Sequence, residues 1–299
     1  TVGKWHLGGS GHGGEGPHEW GFDRSYGLYT GAANHWNQGA FHFNPEDPEI
    51  KAVLARGEIP QEPYYENGES VTRPDGVFSD ELWTSKLLEY LEEGRESGKP
   101  FFAYVAYTTA HAPIQAPADL IDRYYEHYLE LGYEGLHRAR FESQKKLGLI
   151  PQDATQPARE SNPLLSAWSE LDDEEKRREA RWMAAYSAMM ESQDQNIGKL
   201  LDYLRETGEL DNTLIFYIGD HGAQFPRGKG TVYEAALRVP VPRQAQRPSF
   251  HRLPARVPEH VRRVRGLEQR RHRRHRRFAE PRVGHRHDAI RNGHELVEV

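Results

Sequence analysis

Thr213-Leu214-Ile215-Phe216-Tyr217-Ile218-Gly219-Asp220-His221-Gly222 joins an unbroken apolar run to a charged pair, and Gly228-Lys229-Gly230 follows closely. Leu214 to Ile218 predicts a strand buried on both faces, ending at Asp220 and His221. In an open α/β sheet, ligands and ions bind beyond the carboxyl ends of the strands, so this pair is suited to hold a metal. The same residues also serve as a plain turn that ends a strand.

Outward from that run, the pattern of an α/β protein repeats. Residues from about Asp172 to Glu206 carry Trp182, Tyr186, Met189, Met190, Ile197, Leu200, Leu201 and Leu204 at helical spacing, with Gly208 as the stop. Residues 119–149 predict a second amphipathic helix through Leu120, Tyr124, Tyr128 and Leu131. Phe101 to Tyr107 predicts another buried strand, and His111 follows at its carboxyl end in Thr108-Thr109-Ala110-His111-Ala112-Pro113. Before it, Ser79 reads as the cap of a helix with Asp80 and Glu81 in the first turn, an apolar stripe of Leu82, Leu87 and Leu91 with Trp83, and Gly94 as its stop. Alternating helix and strand predict a mostly parallel sheet flanked by helices, incomplete at both ends.

The remaining segments are less regular. Thr1 to Gly9 opens as if just after a strand, and extended backbone would put Lys4 and His6 on one face, converging on an anion. Gly9, Gly11 and Gly14 match a nucleotide-binding spacing, but Gly16-Pro17 follows where a helix should open, so the match is rejected in favour of a mobile glycine loop. Trp20 to Trp36 reads as an irregular aromatic surface able to line a cleft, and Pro45 to Gly76 as loop.

The chain has 299 residues, no cysteine and a net charge of −6. Disulfides, thiolate metal sites and a cysteine nucleophile are therefore excluded within it. No run approaches the length of a membrane helix. Residues 1–242 hold 23 Lys and Arg against 39 acids, whereas residues 243–299 hold 16 Arg, no Lys and 6 acids. An acidic globular domain over 1–242 is thus expected to precede an arginine-rich, disordered tail over 243–299. With neither Lys nor interleaved aromatics, that tail is not expected to bind nucleic acid. A shifted reading frame in GC-rich DNA accounts for its Arg, Pro and His excess.

Taken together, Gly3-Lys4-Trp5-His6-Leu7-Gly8, Trp20-Gly21-Phe22-Asp23, Pro100 to Tyr104, Ala110-His111-Ala112-Pro113, Asp194-Gln195-Asn196-Ile197-Gly198, Gly219-Asp220-His221-Gly222, Gly228 to Glu234 and Arg238-Val239-Pro240 resemble the sulfatase family, within the alkaline phosphatase superfamily, in order and spacing. The resemblance runs to about residue 241 and is nearest to bacterial arylsulfatases. It implies hydrolysis of a small-molecule or carbohydrate sulfate ester at a divalent metal, calcium first, with manganese or magnesium as alternatives. Asp220 and His221 match metal ligands, Lys4 and His6 the pair beside the nucleophile, and His111 and Lys229 the pair that grips the sulfate and assists the leaving oxygen. His221 stands where many sulfatases have Asn, and an imidazole tilts the preference towards a transition ion.

Two family features do not occur in the sequence: the Cys/Ser-x-Pro-Ser-Arg motif that yields formylglycine, and the first Asp-Asp metal pair. Both are expected upstream of Thr1, where a formylglycine-generating enzyme would act on a longer form, and this chain alone is expected to be inactive. Family habit implies a periplasmic or extracellular location. A phosphate or phosphonate ester hydrolase of the same superfamily is the chemical alternative, and a binding protein that has lost the nucleophile is the non-catalytic one.

Overall fold

Two glycines facing each other across neighbouring strands set the centre of the sheet. β1 (Val2–Lys4) pairs in parallel with β2 (Tyr26–Leu28) on one side, and it pairs in parallel with β5 (Val105–Ala106) on the other. Gly27, Gly3 and Ala106 stand in register across the three strands. A Cβ on Gly27 would lie 1.8 Å from the Gly3 carbonyl oxygen, and one on Gly3 would lie 2.1 Å from that of Ala106. Gly3 also has φ +99°, in the region that favours glycine. The hairpin of β3 (Tyr64–Glu66) and β4 (Glu69–Val71) extends the sheet antiparallel to β2, giving the order β4-β3-β2-β1-β5. Its two-residue turn is Asn67-Gly68, with φ of 51° and 92°, as the tight primed turn requires.

The computed structural model describes residues 1–8, 16–41, 44–157 and 166–219. Four helices accompany the sheet among these residues. α1 (Pro48–Ala55) starts at Asp47, whose carboxylate accepts from the amides of Glu49 and Ile50, with proline at the first helical position. α2 (Ser79–Arg95) lays Leu82, Trp83, Leu87 and Tyr90 against Val2, Tyr26, Leu28 and Tyr64 of the sheet. Trp83 is fully buried and stacks on Tyr64, with ring centroids 5.9 Å apart.

α3 (Ala118–Lys146) and α4 (Asp173–Glu206) pack antiparallel, tied by Tyr124 to Glu191, Tyr128 to Ser187 and Tyr133 to Glu179. Ala116, Leu120, Ala188 and Met189 form a second small core. The capping box of Asp172 and Glu175 opens α4. Within α3, Gly132 leaves helical geometry at φ +58°, and a Cβ there would strike the Trp168 ring at 2.6 Å. No described helix is long and apolar enough to cross a membrane.

The α/β expectation holds, with a mixed sheet in place of a mostly parallel one. Other local readings are corrected. Thr213–Gly219 forms no strand, and Leu214 and Phe216 are 58% and 74% exposed. A strand exists only through a partner, and no described segment pairs with this run. The Phe101 to Tyr107 strand contracts to Val105–Ala106, leaving Phe102 exposed. Phe78, not Ser79, is the N-cap of α2, and Ser79 and Asp80 turn inward. The aromatic segment from Trp20 to Trp36 supplies β2, and the proline-interrupted segment from Pro45 to Gly76 supplies α1, β3 and β4. The Gly9 to Gly14 loop and residues 243–299 lie outside the described residues.

Candidate active site at the carboxyl edge of the parallel strands

β2, β1 and β5 run the same way, so the chain leaves all three at one edge of the sheet. Lys4 ends β1 opposite Leu28, and the amides of Trp5 and His6 continue the pairing to the carbonyls of Leu28 and Tyr29 at 2.9 and 3.0 Å. His6 then turns out of extended geometry with φ 53°, so the alternation that would place Lys4 and His6 on one face stops before His6. Its ring lies over Gly31, where an added Cβ would come within 3.3 Å of Cε1. On the other side, β5 releases Tyr107 and Thr108 into the turn that carries His111. The topology therefore delivers Lys4, His6 and His111 to the same edge.

His111 is held through its backbone and its ring. Its amide donates to Thr108 O at 2.9 Å, and Nδ1 lies 2.7 Å from the Ala112 carbonyl. A carbonyl only accepts, so Nδ1 carries the proton and the lone pair of the neutral ring falls on Nε2.

Behind the turn lies a buried polar layer. His35 packs under Phe78 with ring centroids 5.5 Å apart; Nδ1 is 2.7 Å from Ser79 Oγ and Nε2 is 3.1 Å from the His111 carbonyl. Burial pulls its pKa down to about 4, so the ring is neutral at ordinary pH. Asp80 is fully buried, and Thr109 Oγ1 donates to its Oδ1 at 2.8 Å. Burial pushes this carboxyl up to about 7, against the stabilising hydroxyls of Thr109 and Ser192. Oδ2 itself meets no donor at hydrogen-bond geometry, although the Ser192 hydroxyl lies close enough to favour the ionised form.

Arg73 is also buried. Its guanidinium reaches the carbonyls of Asn37, His35 and Val77 at 2.5 to 2.7 Å and that of Asn34 at 3.5 Å. Thr30 Oγ1 donates to the buried Glu62 near the point where β2 ends.

Asp220, His221 and Lys229 lie outside the described residues. Among the described residues, no three His, Asp or Glu side chains come together as a metal site. Sequence reasoning missed His35 and the burial of Asp80, because an acid in the first turn of a helix ordinarily faces solvent. The available signal was the Phe78-Ser79-Asp80 junction, where an apolar N-cap leaves the next polar residues to turn inward.

Comparison with known proteins identifies the family of the chain. The Sulfatase family model matches residues 1–241. An uncharacterized sulfatase of Schizosaccharomyces pombe is 37% identical over 235 residues, covering 78% of this chain and 39% of that protein. The arylsulfatase of Klebsiella aerogenes is 33% identical over 227 residues, covering 76% of this chain and 45% of the enzyme. The crystal structure of a sulfatase from Pseudoalteromonas sp. aligns with a TM-score of 0.44 at 21% identity, covering 80% of this chain and 41% of that one. The chain thus spans less than half the length of these relatives, and over residues 1–241 it belongs to the sulfatase family.

Proposed function

We propose that residues 1–242 are one part of a sulfate ester hydrolase, with its site at the shared carboxyl edge of β2, β1 and β5. The observation that carries this reading is the delivery of Lys4, His6 and His111 to that edge in a chain of the sulfatase family. Attack on sulfur moves negative charge onto the departing oxygen and the equatorial oxygens. Lys4 supplies a fixed positive charge for them. His111 keeps its Nδ1 proton on the Ala112 carbonyl and acts in its doubly protonated form, donating the second proton from Nε2 to the leaving oxygen and returning to the neutral ring. His6 serves beside the nucleophile, and Lys229 grips the sulfate together with His111.

Asp220 and His221 would hold a divalent cation, calcium first, with manganese or magnesium as alternatives. Bound there, it supplies Lewis-acid polarisation of the ester. The substrate is a small-molecule or carbohydrate sulfate, and the nucleophile of this reading is a formylglycine made by a formylglycine-generating enzyme, for which residues 1–299 hold no motif.

The test is turnover by the complete reading frame containing this chain, with calcium or manganese added, on 4-nitrophenyl sulfate and on 4-nitrophenyl phosphate. Faster sulfate cleavage, lost in His111→Gln, is expected. Preferential phosphate cleavage would move the protein to the phosphoester branch of the superfamily, and no cleavage of either would end the hydrolase reading.

A further inference from the structure

α2 and the segment leaving β5 are stitched together residue by residue. Thr84 Oγ1 and Tyr107 Oη are 2.8 Å apart, and Trp83 Nε1 donates to Thr108 Oγ1 at 3.3 Å. Thr109 Oγ1 donates to Asp80 Oδ1 at 2.8 Å, and Ser79 holds His35, which reaches the His111 carbonyl. As the segment advances from 107 to 111, its partners on the helix step back from 84 to 79. Ser79, Asp80, Trp83 and Thr84 are all buried, so these bonds form out of water, where leaving one unmade is costly.

The last stitch differs from the others because it acts on the backbone of His111 itself. The His111 carbonyl can only accept, so His35 must carry its proton on Nε2, and Nδ1 then accepts from the Ser79 hydroxyl. Phe78 on one face and the bond from the His35 amide to Gln115 Oε1, 3.0 Å, fix the ring further.

We propose that His35 is a positioning residue for His111: its Nε2–H bond to the His111 carbonyl sets the pitch of the Thr108–Pro113 turn and so the direction of the His111 imidazole. The inference rests on the reading of His111 as a proton-transfer group. It gives α2 a role beyond packing, since the Ser79 hydroxyl donates to Nδ1 and holds the ring that makes the bond.

The test reads geometry, independently of turnover. In the isotopically labelled chain, the His111 carbonyl carbon and ring nitrogens are followed by NMR, with His111→Gln identifying the signals. His35→Phe keeps the ring volume without a donor, and His35→Gln keeps an N–H near the position of Nε2. The phenylalanine variant is expected to shift the carbonyl carbon and ring nitrogens of His111, and the glutamine variant to restore most of that shift. His111 signals unmoved in a folded His35→Phe protein would overturn the proposal. Should that variant not fold, Ser79→Ala removes only the hydroxyl that orients His35; a smaller shift in the same direction is expected, and unchanged His111 signals would overturn the proposal equally. Loss of sulfate cleavage in His111→Gln tests the role of His111 separately, so the two failures are distinguishable.

Discussion

Phe101 to His111 and Leu214 to His221 look alike as sequence, each an apolar run with a histidine just past its end. In the structure the described parts of the two behave differently. The first is anchored at Tyr107, Thr108, Thr109 and His111 by buried partners. The second, up to Gly219, presents Leu214, Ile215, Phe216 and Ile218 to solvent, although Tyr217 Oη reaches Gln193 Oε1 at 3.3 Å. The anchoring of the first owes little to strand formation, for β5 is only two residues long. It comes from polar side chains on α2 together with His35. An apolar run identifies a segment able to enter a sheet, while neighbouring strands and buried polar partners decide whether it does.

The sharpest way to break the anchored region is Gly3→Ala. A methyl group would collide with the Ala106 carbonyl in backbone that disfavours any side chain. A loss of about 4 kcal/mol is expected from strain and overpacking together, read as a lower denaturation midpoint. A variant as stable as the parent would show that β1 and β5 are not paired as described.

Asp80→Asn probes the seam with an effect that depends on pH. The folded protein holds the Asp80 proton up to about pH 7, whereas the unfolded chain releases it near 3.8. Folding therefore favours the protonated form, and stability falls as pH rises from about 4 to 7, by up to about 4 kcal/mol. The asparagine variant lacks this slope and keeps an acceptor for Thr109. Its melting temperature should match the parent near pH 4 and exceed it at pH 8, and parallel profiles would contradict a buried, ionisable Asp80. His35 slopes the opposite way. Its neutral form gives stability that is complete above 6.5 and lost as pH falls through about 4, so the parent profile alone conceals the contribution of Asp80.

The smallest effect belongs to the exposed run. Phe216→Ser, at a position 74% exposed, should change stability by less than about 0.5 kcal/mol. A loss several times larger would mean that Thr213–Gly219 is buried as its sequence suggests.

These contrasts show which parts of the fold periodicity could reach. α4 was legible almost to the residue because Asp172 and Glu175 cap it and the apolar stripe continues to Leu204. β2 was hidden because its centre is Gly27, required by the close approach of β1 and weak as a strand signal. The β3 and β4 hairpin was announced by Asn67-Gly68, yet the surrounding prolines drew the reading towards loop. At the site, Lys4, His6 and His111 were visible as polar residues after candidate strands. His35, Ser79 and Asp80 were not, since buried polar partners leave no mark on hydropathy and are defined by contacts 29 to 76 residues apart.

Arg73 extends the same lesson. Carbonyl oxygens from Asn34, His35, Asn37 and Val77 converge on its guanidinium as they would around a coordinated calcium ion. Because this cation is part of the chain and stays charged throughout the accessible pH range, the loop bearing His35 is organised from within. A chelator that strips free metal from solution has nothing to remove there.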